Sequence, residues 1–154
     1  MRMIENPKYR SEKRGEAQRS FSIPSTRERI HQVLEKTDAW LRKQHFQEQE
    51  VHDVTLAVVE AANNAIFHGN HGDPKKKVCL SFALTPGKLV VTVADRGKGF
   101  DQRRIPPHLP AQPSLAPHGR GILLMRSLVD EVGFEQRKEG LRVRLVKHRV
   151  DSRQ

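Results

Sequence analysis

Two pairs of strand-like segments, each joined by a turn too short to hold a helix, constrain this chain more than any other feature. Lys77–Ala83 and Lys88–Ala94 alternate apolar with small or polar residues and meet through Thr85-Pro86-Gly87, a hairpin turn signal. Val132–Arg137 and Leu141–His148 meet around Lys138-Glu139-Gly140. Strands joined so tightly run antiparallel, because a parallel pair needs a crossover of a dozen or more residues. Phe21 and Ile23, alternating with Ser20 and Ser22 up to Pro24, add a short strand upstream.

Helical spacing fills the intervals. Ile30, Val33, Leu34, Thr37 and Leu41 share one face, widened by Trp40, and Ser25 or Thr26 is placed to cap that helix. A second helix is predicted from about Gln47 to Phe67, with Val51, Val54, Val58, Ala62, Ala65 and Ile66 as its core stripe. His68-Gly69-Asn70-His71-Gly72-Asp73-Pro74 ends it. A third, apolar helix runs from Gly121 to Val129. The order is strand, two helices, hairpin, long loop, helix, hairpin. It predicts an α+β two-layer sandwich: a mixed, mainly antiparallel sheet with helices on one face. A doubly wound parallel fold, which needs a helix between most strands, is disfavoured.

The length of 154 residues, 36% of them hydrophobic and 30% charged, suits one domain with a single core. Residues 1–18 are polar and without periodicity, so they read as a flexible N-terminal extension. The domain then spans 19–149, followed by a tail at 150–154. No apolar run approaches the roughly 20 residues that cross a bilayer, and the N-terminus has no hydrophobic signal region, so a cytoplasmic protein is expected. The lone Cys79 cannot pair internally and reads as a small buried residue. The net charge of +10 raises nucleic-acid binding, but the charge is dispersed and aromatics are few, with one Trp, one Tyr and six Phe. Direct nucleic-acid recognition is disfavoured; a basic surface equally serves an acidic protein or a polyphosphate.

Three segments carry chemistry. Glu60 and Asn64 lie four apart, on one side of a helix whose neighbouring residues are small or apolar. An ionised glutamate there is costly without a partner. A cleft with water, metal and phosphate supplies one: Asn64 offers an amide oxygen to Mg²⁺, and Glu60 accepts a proton from an attacking hydroxyl or water. Asp95 ends an apolar strand and opens Asp95-Arg96-Gly97-Lys98-Gly99-Phe100. Its carboxylate suits the exocyclic amino group of adenine, and Gly97 and Gly99 let backbone approach a flat ligand. Gly119-Arg120-Gly121 precedes a helix, where free N–H groups and the helix dipole meet phosphates.

Each segment alone also fits a plain structural reading: a solvated helix, an ordinary turn, a helix start. Neither the P-loop nor the Rossmann spacing is present. His68, His71, Asp73 and Glu60 make no zinc template, and no local signature marks a serine or cysteine nucleophile. His68, two turns beyond Glu60, borders the proposed phosphate pocket. Residues 101–118 hold five of the nine prolines, and a loop of that length in a small domain is commonly a functional lid.

Glu60…Asn64, Asp95-x-Gly97-x-Gly99 and Gly119-x-Gly121 resemble the N, G1 and G2 boxes of the GHKL superfamily, the ATPases of gyrase, Hsp90, histidine kinase and MutL type with the Bergerat fold. The similarity spans about residues 20–148. Glu60-Ala61-Ala62-Asn63-Asn64-Ala65-Ile66-Phe67-His68-Gly69 looks like the E-x-x-x-N-A-x-x-H-G box of bacterial anti-sigma-factor serine/threonine kinases, and Glu139–Leu145 is similar to their last hairpin. The resemblance implies ATP and Mg²⁺ as cofactors, with Glu60 as catalytic base and Asn64 as metal ligand. It puts Asp95, Gly97 and Gly99 at adenine, and Gly119, Arg120 and Gly121 at the phosphates under a lid at about 101–118. It also implies a homodimer that sequesters a sigma factor and phosphorylates an anti-sigma-factor antagonist. One departure stands out: Pro113–His118 lacks the basic residue some relatives present to the terminal phosphate, a place that Arg120 or His118 would fill. That departure keeps open a second reading, a non-catalytic ATP- or ADP-binding switch of the same fold.

Overall fold

Alternation sorts each strand into an inner and an outer face. In β1 (Ala17–Pro24), Ala17 and Ile23 are buried while Gln18, Ser20 and Ser22 are exposed. In β2 (Lys77–Thr85), Val78, Leu80, Phe82 and Leu84 face inward. Leu89, Val91 and Val93 do so in β3 (Lys88–Ala94). The computed structural model describes residues 16–97 and 117–149, with backbone alone for 117–120. Residues 1–15 of the expected N-terminal extension, Gly99, residues 101–116 of the expected lid and the 150–154 tail lie outside the described residues. The extension was expected to reach residue 18, but β1 already begins at Ala17, because Ala17 pairs with Leu84 on the neighbouring strand.

With β4 (Glu131–Arg137) and β5 (Gly140–His148), the strands form one five-stranded sheet in the order β1-β2-β3-β5-β4. Every described pairing is antiparallel, so the mixed component of the expected sheet does not occur among them. The reason is topological. The crossover after β3 delivers the chain to the sheet edge as β4, and the hairpin then turns β5 back between β4 and β3. β3 and β4 therefore point the same way without touching.

Among the described residues three α-helices supply the second layer: α1 (Ile30–Lys43), α2 (Glu48–Asn64) and α3 (Pro117–Leu128). Val33, Leu41, Val51, Val54 and Val58 are essentially inaccessible to solvent, and each contributes about 1.5–3 kcal/mol by leaving water. Trp40 of α1 packs on Phe82 of β2 with ring centroids 5.3 Å apart, tying the two layers with an aromatic contact. The carboxylate of Glu50 accepts the N–H of Gln47 at 3.1 Å and closes the start of α2.

Three local expectations are corrected. Neither Ser25 nor Thr26 caps α1: a short 3₁₀ turn, Arg27–Arg29, intervenes, Thr26 makes no side-chain cap bond, and Ser25 Oγ donates instead to Lys76 O. Cys79 is exposed rather than buried, since it alternates with the inward-facing Val78 and Leu80 and falls on the sheet's outer face. The helix through Glu60 does not stay α-helical to Phe67. After Asn64 it widens into a π turn, Ala65–Gly69, in which Asn70 N–H reaches back five residues to Ala65 O at 2.8 Å. His71 and Gly72 then take positive φ of 52° and 69° and turn the chain away.

Candidate functional site

The site forms where α2, α3 and the ends of β3 and β5 meet. Glu60 and Asn64, one turn apart on α2, are both half-buried. Gly121 of α3 lies against them. A β-carbon at residue 121 would stand 3.1 Å from Asn64 Nδ2 and 3.3 Å from Glu60 Oε2. The missing side chain thus leaves space in front of a carboxylate and an amide. α3 begins at Pro117, earlier than the expected Gly121, because proline is pre-organised for a helix's first turn and its missing N–H costs nothing there. Pro117 and His118, expected in the lid, therefore belong to the helix. Gly119 and Arg120 lie in its first turn, where backbone N–H groups lack intrahelical acceptors; Gly121 follows.

Asp95 is held by backbone. Its Oδ1 accepts the N–H groups of Gly97 at 2.9 Å and Leu141 at 3.1 Å, and its own N–H donates to Leu141 O at 3.0 Å. The residue is only 6% exposed. Its Oδ2 is packed on Gly69, where a β-carbon would overlap the carboxylate. Gly97 in turn sits on the Gly69 carbonyl with no room for a side chain. Gly140, at φ 115°, brings the β4–β5 turn onto Asp95, and a β-carbon there would come within 2.8 Å of Oδ1. One carboxylate is thus walled by three glycines from three separate segments.

Glu60, Asn64 and Gly121 are brought together, and Asp95 and Gly97 are joined to the same helix end through Gly69. His68 is exposed on the π turn next to Gly69. Gly69 and Gly140 adjoin Asp95 in the candidate site, although the sequence reading gave neither a site role. The Gly69 signal was its place in the E-x-x-x-N-A-x-x-H-G pattern, and that of Gly140 its place in the hairpin similar to the one that ends those kinases. A third residue that sequence reasoning passed over, Asn70, is 1% exposed and accepts the N–H of Arg96 at 2.8 Å. A hollow of about 550 Å³ lined by Ser20, Ser22, Cys79, Ser81, Thr92 and Arg142 opens on the sheet's outer face, away from these groups.

The donor set suits a nucleotide and a hard cation. Among the described residues no three His, Cys, Asp or Glu side chains converge on a metal-sized space. A Mg²⁺ held by one amide oxygen, phosphates and waters needs no such cluster.

A helical layer on an antiparallel sheet, with a Glu–Asn helix facing one glycine-bearing helix and a buried aspartate ringed by glycines, defines a histidine kinase-like ATPase. The chain belongs to that family, whose histidine kinase-like ATPase domain matches residues 23–147, on the branch that holds the anti-sigma-factor kinases. It is 32% identical over 107 residues to the anti-sigma F factor of Anoxybacillus flavithermus, covering 68% of this chain and 73% of that protein. It is 34% identical over 105 residues to the serine-protein kinase RsbW of Bacillus subtilis, covering 64% of this chain and 65% of the kinase. Among solved structures, the RsbU and RsbW domains of Rv1364c from Mycobacterium tuberculosis superpose with a TM-score of 0.65 at 20% identity, over 87% of this chain and 33% of that one. The last likeness concerns the fold. No helix among the described residues is long and apolar enough to cross a membrane.

Proposed function

We propose that this chain is an ATP- and Mg²⁺-dependent serine/threonine protein kinase of the anti-sigma-factor type, which holds a sigma factor and phosphorylates an anti-sigma-factor antagonist. The observation that carries the reading is Gly121 lying against both Glu60 Oε2 and Asn64 Nδ2, with the Asp95 pocket at the end of the same helix. The relatives, an anti-sigma F factor and a serine-protein kinase, supply the sigma factor as partner and serine as phosphate acceptor; the antagonist follows from the family resemblance.

In this reading Asp95 accepts the amino group of adenine, and Gly69, Gly97 and Gly140 let the base lie against backbone. The first-turn N–H groups of α3 donate to phosphate oxygens. Asn64 is the protein's ligand to Mg²⁺, which when bound neutralises charge on the transferring group. Glu60 takes the proton from the partner's serine or threonine hydroxyl. That oxygen bonds to the γ-phosphorus while the bond to the β–γ bridging oxygen breaks, and ADP leaves. Family members of this kind commonly dimerise, and the same is proposed for this chain.

The test is transfer of label from γ-labelled ATP to a serine-bearing antagonist, alongside Mg-dependent ATP titration. Label on the antagonist's serine, lost with Glu60→Gln, is the expected result. ATP binding without transfer selects the second reading, a nucleotide-sensing switch. That reading is favoured by the absence of a basic residue in Pro113–Ala116 just before α3.

A further inference from the structure

We infer that Asn70 is the positioning residue of the base-reading loop and that it sets the preference for adenine, an inference that rests on the nucleotide site proposed above. Asn70 is almost wholly buried, yet it belongs to a loop, and a buried amide left without partners is costly. Its Oδ1 accepts Arg96 N–H at 2.8 Å. Its Nδ2 donates to Ser25 Oγ at 2.8 Å and to Lys77 O at 3.3 Å. Ser25 passes the chain on, donating from Oγ to Lys76 O at 2.5 Å and from its backbone N–H to the same carbonyl at 3.2 Å. The partners fix which way the amide points: Arg96 N–H demands an acceptor and Lys77 O demands a donor.

The asparagine amide meets this set with a planar fork of one acceptor and two donors. Aspartate keeps the acceptor but gives Lys77 O nothing; alanine leaves both unpaired. The consequence reaches the ligand through one peptide. Asp95 is fixed to β5 by Leu141 and to its own loop by Gly97, and Asn70 fixes the following N–H from the opposite, helical side. Released there, the 95–96 peptide is free to rotate. The Oδ2 atom packed on Gly69 then loses its aim at an amino group. Asn70 touches no base, so its effect falls on discrimination rather than on phosphate contacts.

The experiment measures the dissociation constants of ATP and GTP for the whole chain and for Asn70→Ala, Asn70→Asp and Ser25→Ala, together with their melting temperatures. The ratio of the two constants is independent of the fraction folded, so a merely structural role would not move it. Asn70→Ala is expected to weaken ATP about tenfold and bring the ratio close to one. Asn70→Asp, retaining the Arg96 acceptor, and Ser25→Ala should melt lower yet keep the ratio within about twofold of wild type. A wild-type ratio in Asn70→Ala overturns the inference and leaves the nucleotide site standing. Should Asn70→Ala not fold, a collapsed ratio in Asn70→Asp overturns it equally. Wild-type protein that binds neither nucleotide sinks the proposed function itself.

Discussion

The Gly69 carbonyl occupies the position that a β-carbon on Gly97 would require. This contact joins the end of the Glu60–Asn64 helix to the loop after β3, and it exists only because both residues lack side chains. Replacing Gly97 by alanine forces backbone apart and costs about 1–3 kcal/mol, as overpacking commonly does. Thermal denaturation should show a melting temperature lower by roughly 2–10 °C, with ATP binding lost. Gly87→Ala is the control, since nothing lies within 4 Å of the added carbon. An unchanged melting temperature in Gly97→Ala would remove the contact from the argument.

Glu60 and Asn64 share Gly121 but are assigned different tasks, so their variants should separate. Asn64→Ala is expected to abolish Mg-dependent ATP binding in isothermal titration. Glu60→Gln should bind ATP with nearly wild-type affinity and lose phosphate transfer by about 10²–10⁴-fold, the range for a general base. Equal transfer rates in Glu60→Gln and wild type would exclude Glu60 as base.

Asp95→Asn preserves an oxygen for the N–H groups of Gly97 and Leu141 and turns an amide toward Gly69, so the loop should fold while the acceptor for adenine is lost. ATP affinity is expected to fall about tenfold or more, the cost of one mismatched buried polar pair. Competition between ATP and GTP reads the change directly, and undiminished ATP preference would count against the adenine role.

A separate prediction concerns the helical hairpin. Arg42 near the end of α1 hydrogen-bonds Glu48 at the start of α2 and Asp38 one turn back. The hydrogen bond from Arg42 to Glu48, followed by the Arg42 charge, holds the Glu48 carboxyl below its ordinary pKa. A depressed carboxylate stabilises the fold above its unfolded pKa and loses that contribution as pH falls through the folded value. The pair is solvent-exposed, so the effect is small and screened by salt. Arg42→Ala should melt slightly below wild type at neutral pH, with the gap closing below the ordinary carboxylate range. A gap that persists in acid would show that Arg42 acts through packing.

How much was legible in the sequence depended on the range of the interaction concerned. The hairpins and the stripe Val51, Val54, Val58, Ala62, Ala65 and Ile66 follow from local periodicity, and all six stripe residues are buried. The boundaries that shifted were decided by neighbours. Ser25 left its capping role because Lys76 O lay closer to its needs, and α3 reached back to Pro117. Cys79 was misread because alternation gives two faces without saying which one meets the helices.

Local chemistry and spacing alone determined the elements, their order and the pairing of Glu60 with Asn64, since a four-residue interval on a helix is a matter of geometry within one turn. Only the folded chain decided that Gly69, Gly97 and Gly140 wall a single carboxylate and that Asn70 ties Arg96 to Ser25. The bonds of Asn70 to Arg96 and to Ser25 span 26 and 45 residues of sequence. Close approach across such distances is set by sheet order and helix packing, which no stretch of local sequence encodes.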